Sequence, residues 1–276
     1  MYGYNKTKCA IMSNKRRITK YITIEQMDFL KYLEAEEIQV FSVEDTKNFG
    51  FQGEITNELL ENLTKKEFLT RIERGKYCRA NFRDENVIGT FLAKNSAVAY
   101  WSALNLHGLT EQFPNKIFIQ TPQLKKEVEF AGTTYQFIKI QPNKRTGIVF
   151  IGYGNYKYPI TDIEKTIIDC FDLPQYSGGF AELIRAVYNA KLNAKKLIDY
   201  CNAVDNIAVI KRLGFLAELF EKKNLNSFVK FAKSKVNRSY NLFDTFGENT
   251  GEPNNDWYLR MNLSKEIILG VVQNQY

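Results

Sequence analysis

Hydrophobic positions in the first part of the chain follow helical spacing and predict three short helices. The first lies at about residues 24–33 after Thr23, a suitable N-cap, and its predicted apolar stripe is Ile24, Met27, Leu30 and Leu33. A second, shorter helix is predicted to begin with Ser42 as its N-cap and to stop at Gly50. The third covers about residues 54–63, with apolar residues on one side and polar residues on the other.

Two β-prone runs follow the third helix. Residues 68–72 and 76–79 flank a turn that contains Gly75, which predicts a hairpin. Three helices and a two-stranded wing follow one another in this order in a winged helix-turn-helix domain. In such a domain the third helix lies in the major groove of DNA and the wing touches the backbone. Protein-docking modules use the same order, so that alternative stays open.

A polar interruption at residues 82–93 separates this unit, residues 1–83 with a basic N-terminal arm, from a second domain at 90–276. The second domain is predicted to open with a helix at 96–107, ended by Gly108. A mostly antiparallel sheet follows, with strands at 116–121, 127–130, 133–140, 147–153 and 156–160. Helices are predicted from a capping box of Thr161 and Glu164 to about residue 235, and a loop-like tail at 247–255 precedes one last strand or helix. The predicted fold class is therefore α+β.

The distribution of charge along the chain indicates what kind of partner the protein binds. The chain has 38 Lys and Arg against 31 Asp and Glu, a net charge of +7. Residues 1–20 carry six basic groups and no acid, and residues 65–83 carry seven basic groups against two acids. Residues 21–64, between them, carry two basic groups against ten acids. Two basic blocks that flank one small unit favour an anionic partner, and we predict that it is DNA.

The predicted DNA contacts come from the third helix and from the basic blocks beside it. Asparagine suits adenine in the major groove, and lysine and arginine suit phosphates. The third helix has no basic residue before Lys65, and its Glu58 and Glu61 would repel phosphates unless they turn away. The predicted contacts are Arg16, Arg17, Thr56, Asn57, Asn62, Lys65, Lys66, Arg71, Arg74 and Lys76.

Candidate metal ligands and nucleophiles are few and scattered. The chain has one histidine, His107, for which we favour a structural role at a helix end. Its four cysteines share no metal-ligand or redox spacing. We therefore predict no metal and no cofactor. No apolar run reaches the length of a membrane helix, and the first twenty residues lack the apolar stretch of a signal peptide, so we expect a cytoplasmic protein.

One acidic cluster at first suggests a nuclease. Asp162, Glu164 and Lys165 provide acids and a lysine, but such sites usually place these groups on alternating strand positions. The capping box accounts for Glu164 without catalysis. Gly178-Gly179 lacks the lysine of a phosphate-binding loop and is more typical of the turn before a helix. We predict no catalytic residue.

Six short stretches resemble, in order, motifs of AbiEi-type antitoxins, the DNA-binding half of the AbiE abortive-infection system. Together they span most of the chain. They are Arg74-Gly-Lys-Tyr77, Ser102-Ala-Leu-Asn-Leu-His-Gly-Leu109, Glu164-Lys-Thr-Ile-Ile-Asp169, Pro174-Gln-Tyr-Ser-Gly-Gly179, Lys211-Arg-Leu-Gly-Phe-Leu216 and the segment from Trp257 to Asn262.

The resemblance implies an N-terminal winged helix-turn-helix and a larger α+β antitoxin domain. It implies a transcriptional repressor that binds inverted repeats upstream of its own operon, with the wing residues Arg71, Arg74 and Lys76 on DNA. It further implies a phage-defence role in which the antitoxin domain opposes a nucleotidyltransferase-like toxin, in a type IV system without a stable complex. Two alternative functions stay open: a nuclease or nucleotide-handling enzyme with its site in the second domain, and a protein-docking adaptor.

Overall fold

The structure is a computed structural model that describes residues 21–51 and 54–273. The chain forms two compact units, divided between Phe82 and Arg83. Helices and sheets occur in both units, and the last part of the second unit is mainly helical, so the α+β prediction is confirmed. Within the described ranges, no helix combines the length and the apolar character that a bilayer span requires.

The first unit has the element order of a winged-helix domain. β3 lies between β1 and β2 and is antiparallel to both. Its buried core includes Phe29 and Leu33 from the first helix, three leucines from the third, and Tyr77 from the last strand. The elements are α1 (Ile24–Ala35), β1 (Val40–Ser42), α2 (Asp45–Asn48), α3 (Glu54–Lys65), β2 (Leu69–Glu73) and β3 (Lys76–Arg79).

The start of α1 agrees with the sequence, but its buried face does not. The Thr23 hydroxyl accepts the Gln26 N–H, and the Gln26 side chain accepts the Thr23 N–H, which completes a capping box. The buried residues are Gln26, Phe29 and Leu33, whereas Ile24 is 75% exposed. Ile24 and Leu33 are about two and a half helical turns apart, so they lie on opposite faces, and the predicted stripe was wrong at Ile24.

The second unit begins with a mixed sheet that helices cover. The sheet has six strands within the described residues, in the order β6-β7-β5-β4-β9-β8. β5 and β7 are parallel, as are β4 and β9, and the other three pairs are antiparallel. The elements are α4 (Glu85–Phe91), β4 (Ala97–Val98), α5 (Tyr100–Leu106), β5 (Ile117–Thr121), β6 (Val128–Phe130), β7 (Thr133–Lys139), β8 (Ile148–Ile151) and β9 (Tyr158–Thr161).

The helical half of the second unit packs around one central helix, α9, in which every residue from 209 to 217 is buried. A small three-stranded sheet of described residues follows it, with strand order β10-β12-β11. The elements are α6 (Ile163–Asp172), α7 (Phe180–Asn189), α8 (Ala194–Val204), α9 (Ile207–Leu219), α10 (Asn226–Lys235), β10 (Asn241–Leu242), β11 (Glu252–Asn254), β12 (Leu259–Met261) and α11 (Lys265–Gln273).

Gly214 lies where α9 meets the indole of Trp257. A Cβ at Gly214 would lie 2.3 Å from two carbons of that ring. Trp257 is 1% exposed, and its Nε1 donates a hydrogen bond of 2.7 Å to Glu218. The ring therefore cannot move aside without losing this hydrogen bond, so only glycine fits this position.

Replacing Gly214 with alanine is expected to lower the free energy of unfolding by about 1–3 kcal/mol, the usual cost of overpacking. Gly270 in α11 is the matched control, because nothing lies within 4 Å of a Cβ built there. Gly270→Ala is expected to raise stability by up to about 1 kcal/mol through helix propensity. Urea unfolding followed by circular dichroism measures both variants, and equal effects at the two positions would contradict this account.

Candidate nucleic-acid interface

The outward face of α3 is polar and acidic. Asn57, Glu58 and Glu61 are exposed, and Asn62 is half-buried. Asn57 and Asn62 can offer amide groups to base edges, as predicted. The two glutamates lie on the same exposed surface as Asn57, so this helix has little electrostatic attraction for phosphates.

Thr56 does not belong to that face. It is only 4% exposed and packs with the core side of α3, where Leu59 and Leu60 are also buried. Residues three and four positions apart share a helix face, so Thr56 points inward with these leucines. The prediction that Thr56 contacts DNA is therefore wrong for the folded unit.

The two lysines at the end of α3 differ in their contacts. Lys65 is exposed, and its Nζ lies 4.0 Å from a Glu61 carboxylate oxygen. Lys66 is half-buried and donates to the Tyr21 carbonyl at 2.6 Å and to the Gln26 side chain at 2.7 Å. Lys66 therefore ties α3 to the start of α1, which does not fit the predicted role of a phosphate contact. Lys65 keeps its ammonium group exposed to solvent.

The wing has the predicted shape. Ile72 and Tyr77 are 8% and 6% exposed, so their side chains pack inward. Gly75 has φ +76°, a left-handed value that glycine adopts without strain, and it turns the chain from β2 into β3. β1 is the third strand beside the wing, with Phe41 opposite Tyr77. Its three residues are too few to give a pattern in the sequence.

The basic residues of the wing have different partners. Arg71 and Arg74 are exposed, and the Arg71 Nε lies 3.4 Å from the Glu73 carbonyl. Lys76 Nζ lies 3.0 Å from a carboxylate oxygen of Glu73, and both side chains are 24% exposed. Arg74, at the turn, has no hydrogen bond or ion pair to another described residue. The wing therefore presents two accessible guanidinium groups and one partly exposed lysine that is paired with an acid.

Six of the eight basic residues between positions 21 and 82 lie in one stretch, residues 65–79. Residues 21–82 carry eight basic residues against twelve acids, a net of −4, and seven of those acids lie before α3. Attraction for phosphates must come from the wing and from Lys65, together with the N-terminal basic block. Arg16 and Arg17 of that block lie outside the described residues.

In the second unit, Asp162 is a structural residue. It is the N-cap of α6 and accepts the Lys165 N–H at 2.9 Å. Its other oxygen accepts from Lys196 at 3.0 Å and from the Tyr200 hydroxyl at 2.9 Å, which joins α6 to α8. The predicted cap at Thr161 was wrong by one position, because Thr161 still pairs with Ile148 in the sheet.

Glu164 and the nearby Asp172 are also engaged. Glu164 accepts the Asn193 N–H at 2.7 Å, and Asp172 binds Lys144 at 2.9 Å. Within the described ranges, no group of three or more His, Cys, Asp or Glu residues is placed to hold one metal ion. His107 Nε2 lies 2.7 Å from the Thr161 carbonyl and holds the end of α5 against β9.

Lys165 and Asp169 form an ion pair inside the second unit. Lys165 is fully buried and Asp169 is 4% exposed, one turn further along α6. Burial raises the pKa of Asp169 to about 6, although the neighbouring Lys165 ammonium acts to lower it. A pair shielded in this way has almost no contact with solvent.

Comparison with known proteins gives a likeness of fold. No family model matches the chain, and no curated protein matches it. The chain is similar to the crystal structure of the RV2827C protein from Mycobacterium tuberculosis, with a TM-score of 0.61 and 14% sequence identity. The match covers 93% of this chain and 97% of that one, so the likeness extends over both units.

Proposed function

We propose that the protein is a DNA-binding autorepressor that also serves as the antitoxin of a type IV toxin–antitoxin operon. The observation that carries the DNA-binding part is the exposed pair Arg71 and Arg74 on a wing beside a three-helix unit. In winged domains this hairpin meets the phosphate backbone while the third helix approaches base edges. Asn57 and Asn62 are the base-contacting groups in this proposal.

The antitoxin part rests on the six stretches that resemble AbiEi-type antitoxins. In this proposal the operator consists of inverted repeats, and the second unit opposes a nucleotidyltransferase-like toxin in the cytoplasm, without a stable complex, as part of phage defence. The protein has no catalytic role of its own. The engagement of Asp162, Glu164 and Asp172 in contacts between elements supports that point.

A footprint of the full-length protein on its own upstream region tests the DNA-binding part. We expect protection of an inverted repeat. If four to six phosphates are neutralised, affinity should fall with salt at a log–log slope of roughly −4 to −5. If the upstream DNA showed no protection at low salt while the protein kept a native circular dichroism spectrum, the proposal would be contradicted. The protein-docking adaptor would then be favoured.

Co-expression with the toxin from the neighbouring gene tests the antitoxin part. A variant that has lost operator binding through Arg71→Ala and Arg74→Ala should still restore growth, because neutralisation is assigned to the second unit. Rescue that disappears together with DNA binding would mean that repression, not the second unit, provides the protection.

A further inference from the structure

The two edges of the six-stranded sheet differ in chemistry. At one edge, β6 carries Glu129 at its centre and follows the charged run 125–127. At the other edge, β8 consists of the four apolar residues 148–151. Edge strands commonly carry a charge, a proline or a bulge that blocks pairing with another chain. β6 has such protection, whereas β8 has none within its four residues and pairs regularly with β9.

Apolar side chains are open to solvent along β8. Phe150 is 69% exposed and Val149 is 37% exposed. The turn that follows adds Tyr153 and Tyr156, which are 79% and 42% exposed, with ring centroids 6.2 Å apart. A run of exposed apolar groups on one edge marks an interaction surface more often than single exposed residues do.

The backbone of β8 also has free hydrogen-bonding groups. The Gly147 carbonyl accepts the Asp162 N–H at 2.7 Å, so the odd positions of this strand face β9. Alternation then directs the N–H and C=O groups of Ile148 and Phe150 toward the open edge. Phe150 lies opposite Pro159, which has no N–H to share, in agreement with this direction. Among the described residues, β8 has no second strand neighbour.

The charge around β8 indicates what kind of segment fits there. Residues 142–161 contain Lys144, Arg145 and Lys157 and no acid. Lys144 binds Asp172. Arg145 is exposed, with its Nε donating to the Asn95 carbonyl at 2.9 Å, and Lys157 is exposed. A second copy of the chain would bring these like charges together, so an acidic occupant is favoured.

We propose that β8 binds an extended segment of a partner protein that carries apolar and acidic side chains and adds a strand to the sheet. The backbone groups of Ile148 and Phe150 would pair with the incoming strand. The Phe150 ring and the two tyrosines would cover its apolar side chains, and Arg145 and Lys157 would meet its acids.

Fluorescence anisotropy of a labelled short peptide with alternating valine and glutamate, titrated with the full-length protein, tests the proposal. A twin peptide with lysine in place of glutamate is the charge control. Phe150→Pro removes the outward N–H and the ring without touching the β9 ladder, and Phe150→Val keeps the N–H. We expect the glutamate peptide to bind and the lysine twin to bind at least about tenfold more weakly. Phe150→Pro should lose about tenfold, and Phe150→Val should lose less.

Lys157→Glu gives a second variant that does not disturb the strand, and it should also weaken binding of the glutamate peptide. No binding of that peptide, or equal binding of the two peptides, would overturn the proposal. Unchanged binding by a folded Phe150→Pro variant would do the same. A concentration-dependent dimer in sedimentation that Phe150→Pro abolishes would assign this edge to a second copy and overturn the acidic partner.

Discussion

Replacing Lys165 with alanine is expected to lower the free energy of unfolding by about 3–5 kcal/mol. The substitution leaves the Asp169 carboxylate inside the core without its ammonium partner, and an uncompensated buried charge costs about that much. Both members of the pair are at least 96% buried, so solvent cannot replace the lost partner. Urea unfolding of the full-length protein, monitored by circular dichroism, gives the measurement.

The double variant Lys165→Met with Asp169→Leu is the matched control. Apolar residues of similar size remove both charges at once, so this variant is expected to be much closer to the wild type than Lys165→Ala. If the single and double variants were equally destabilised, lost packing rather than the unpaired charge would explain the effect.

The contribution of Asp169 to the stability of the protein depends on pH. The pKa of Asp169 is about 6 in the folded protein against an ordinary value of 3.8, so the folded state holds this proton more tightly than the unfolded chain. Its contribution to stability is therefore fully present below about pH 4 and is lost as the pH rises through 6. The variant Asp169→Asn should not show this loss of stability between pH 4 and pH 7. Measuring the free energy of unfolding of both proteins across that range tests the expectation.

The double substitution Arg74→Ala with Lys76→Ala is expected to weaken DNA binding about a hundredfold near 0.1 M salt. Each lost phosphate contact changes the log–log salt slope by about 0.9, so the slope should become shallower by about two. All DNA sequences should be affected about equally, because phosphates carry no base identity. The fold should be retained, since the surface pair Lys76–Glu73 contributes at most about 1 kcal/mol.

Two further variants separate the wing from α3. Glu73→Gln frees Lys76 from its acid and should strengthen binding to every sequence. Asn57→Ala should cost about 1–3 kcal/mol on the operator and little on random DNA. Electrophoretic mobility shifts across a salt series measure the DNA affinity of these two variants and of the Arg74→Ala, Lys76→Ala double variant. Full affinity and an unchanged slope in the double variant would make the Arg16-Arg17 segment the leading phosphate contact.

The sequence patterns predicted most helices and most strands because each of these has its own apolar period or turn residue. Gly75 and Gly108 marked ends that the structure confirms with positive φ values. β1, β4, β10 and β11 were not predicted, since strands of two or three residues leave no period in the sequence. α4 was not predicted, because its N-cap Asp84 lies in a polar stretch that favoured a linker between the domains.

The candidate site was predictable in outline but not in its pairings. The predicted hairpin around Gly75 is present, but Leu69 and Ile72 both pack inward because the register shifts between Arg71 and Glu73, which strand alternation does not predict. Thr56 and Lys66 were misplaced because burial and long-range hydrogen bonds depend on neighbours distant in sequence. Lys66 donates hydrogen bonds to Tyr21 and Gln26, which lie 45 and 40 residues away in the sequence. A local sequence pattern does not contain such contacts.

Under the proposed function, the Glu73–Lys76 pair would allow DNA affinity to change separately from base preference. An acid beside a lysine competes with a phosphate for the same cation, so the strength of DNA binding would depend on residue 73, whereas base preference would depend on α3. The proposed repressor could then gain or lose affinity through a substitution at one wing position and keep the same operator sequence.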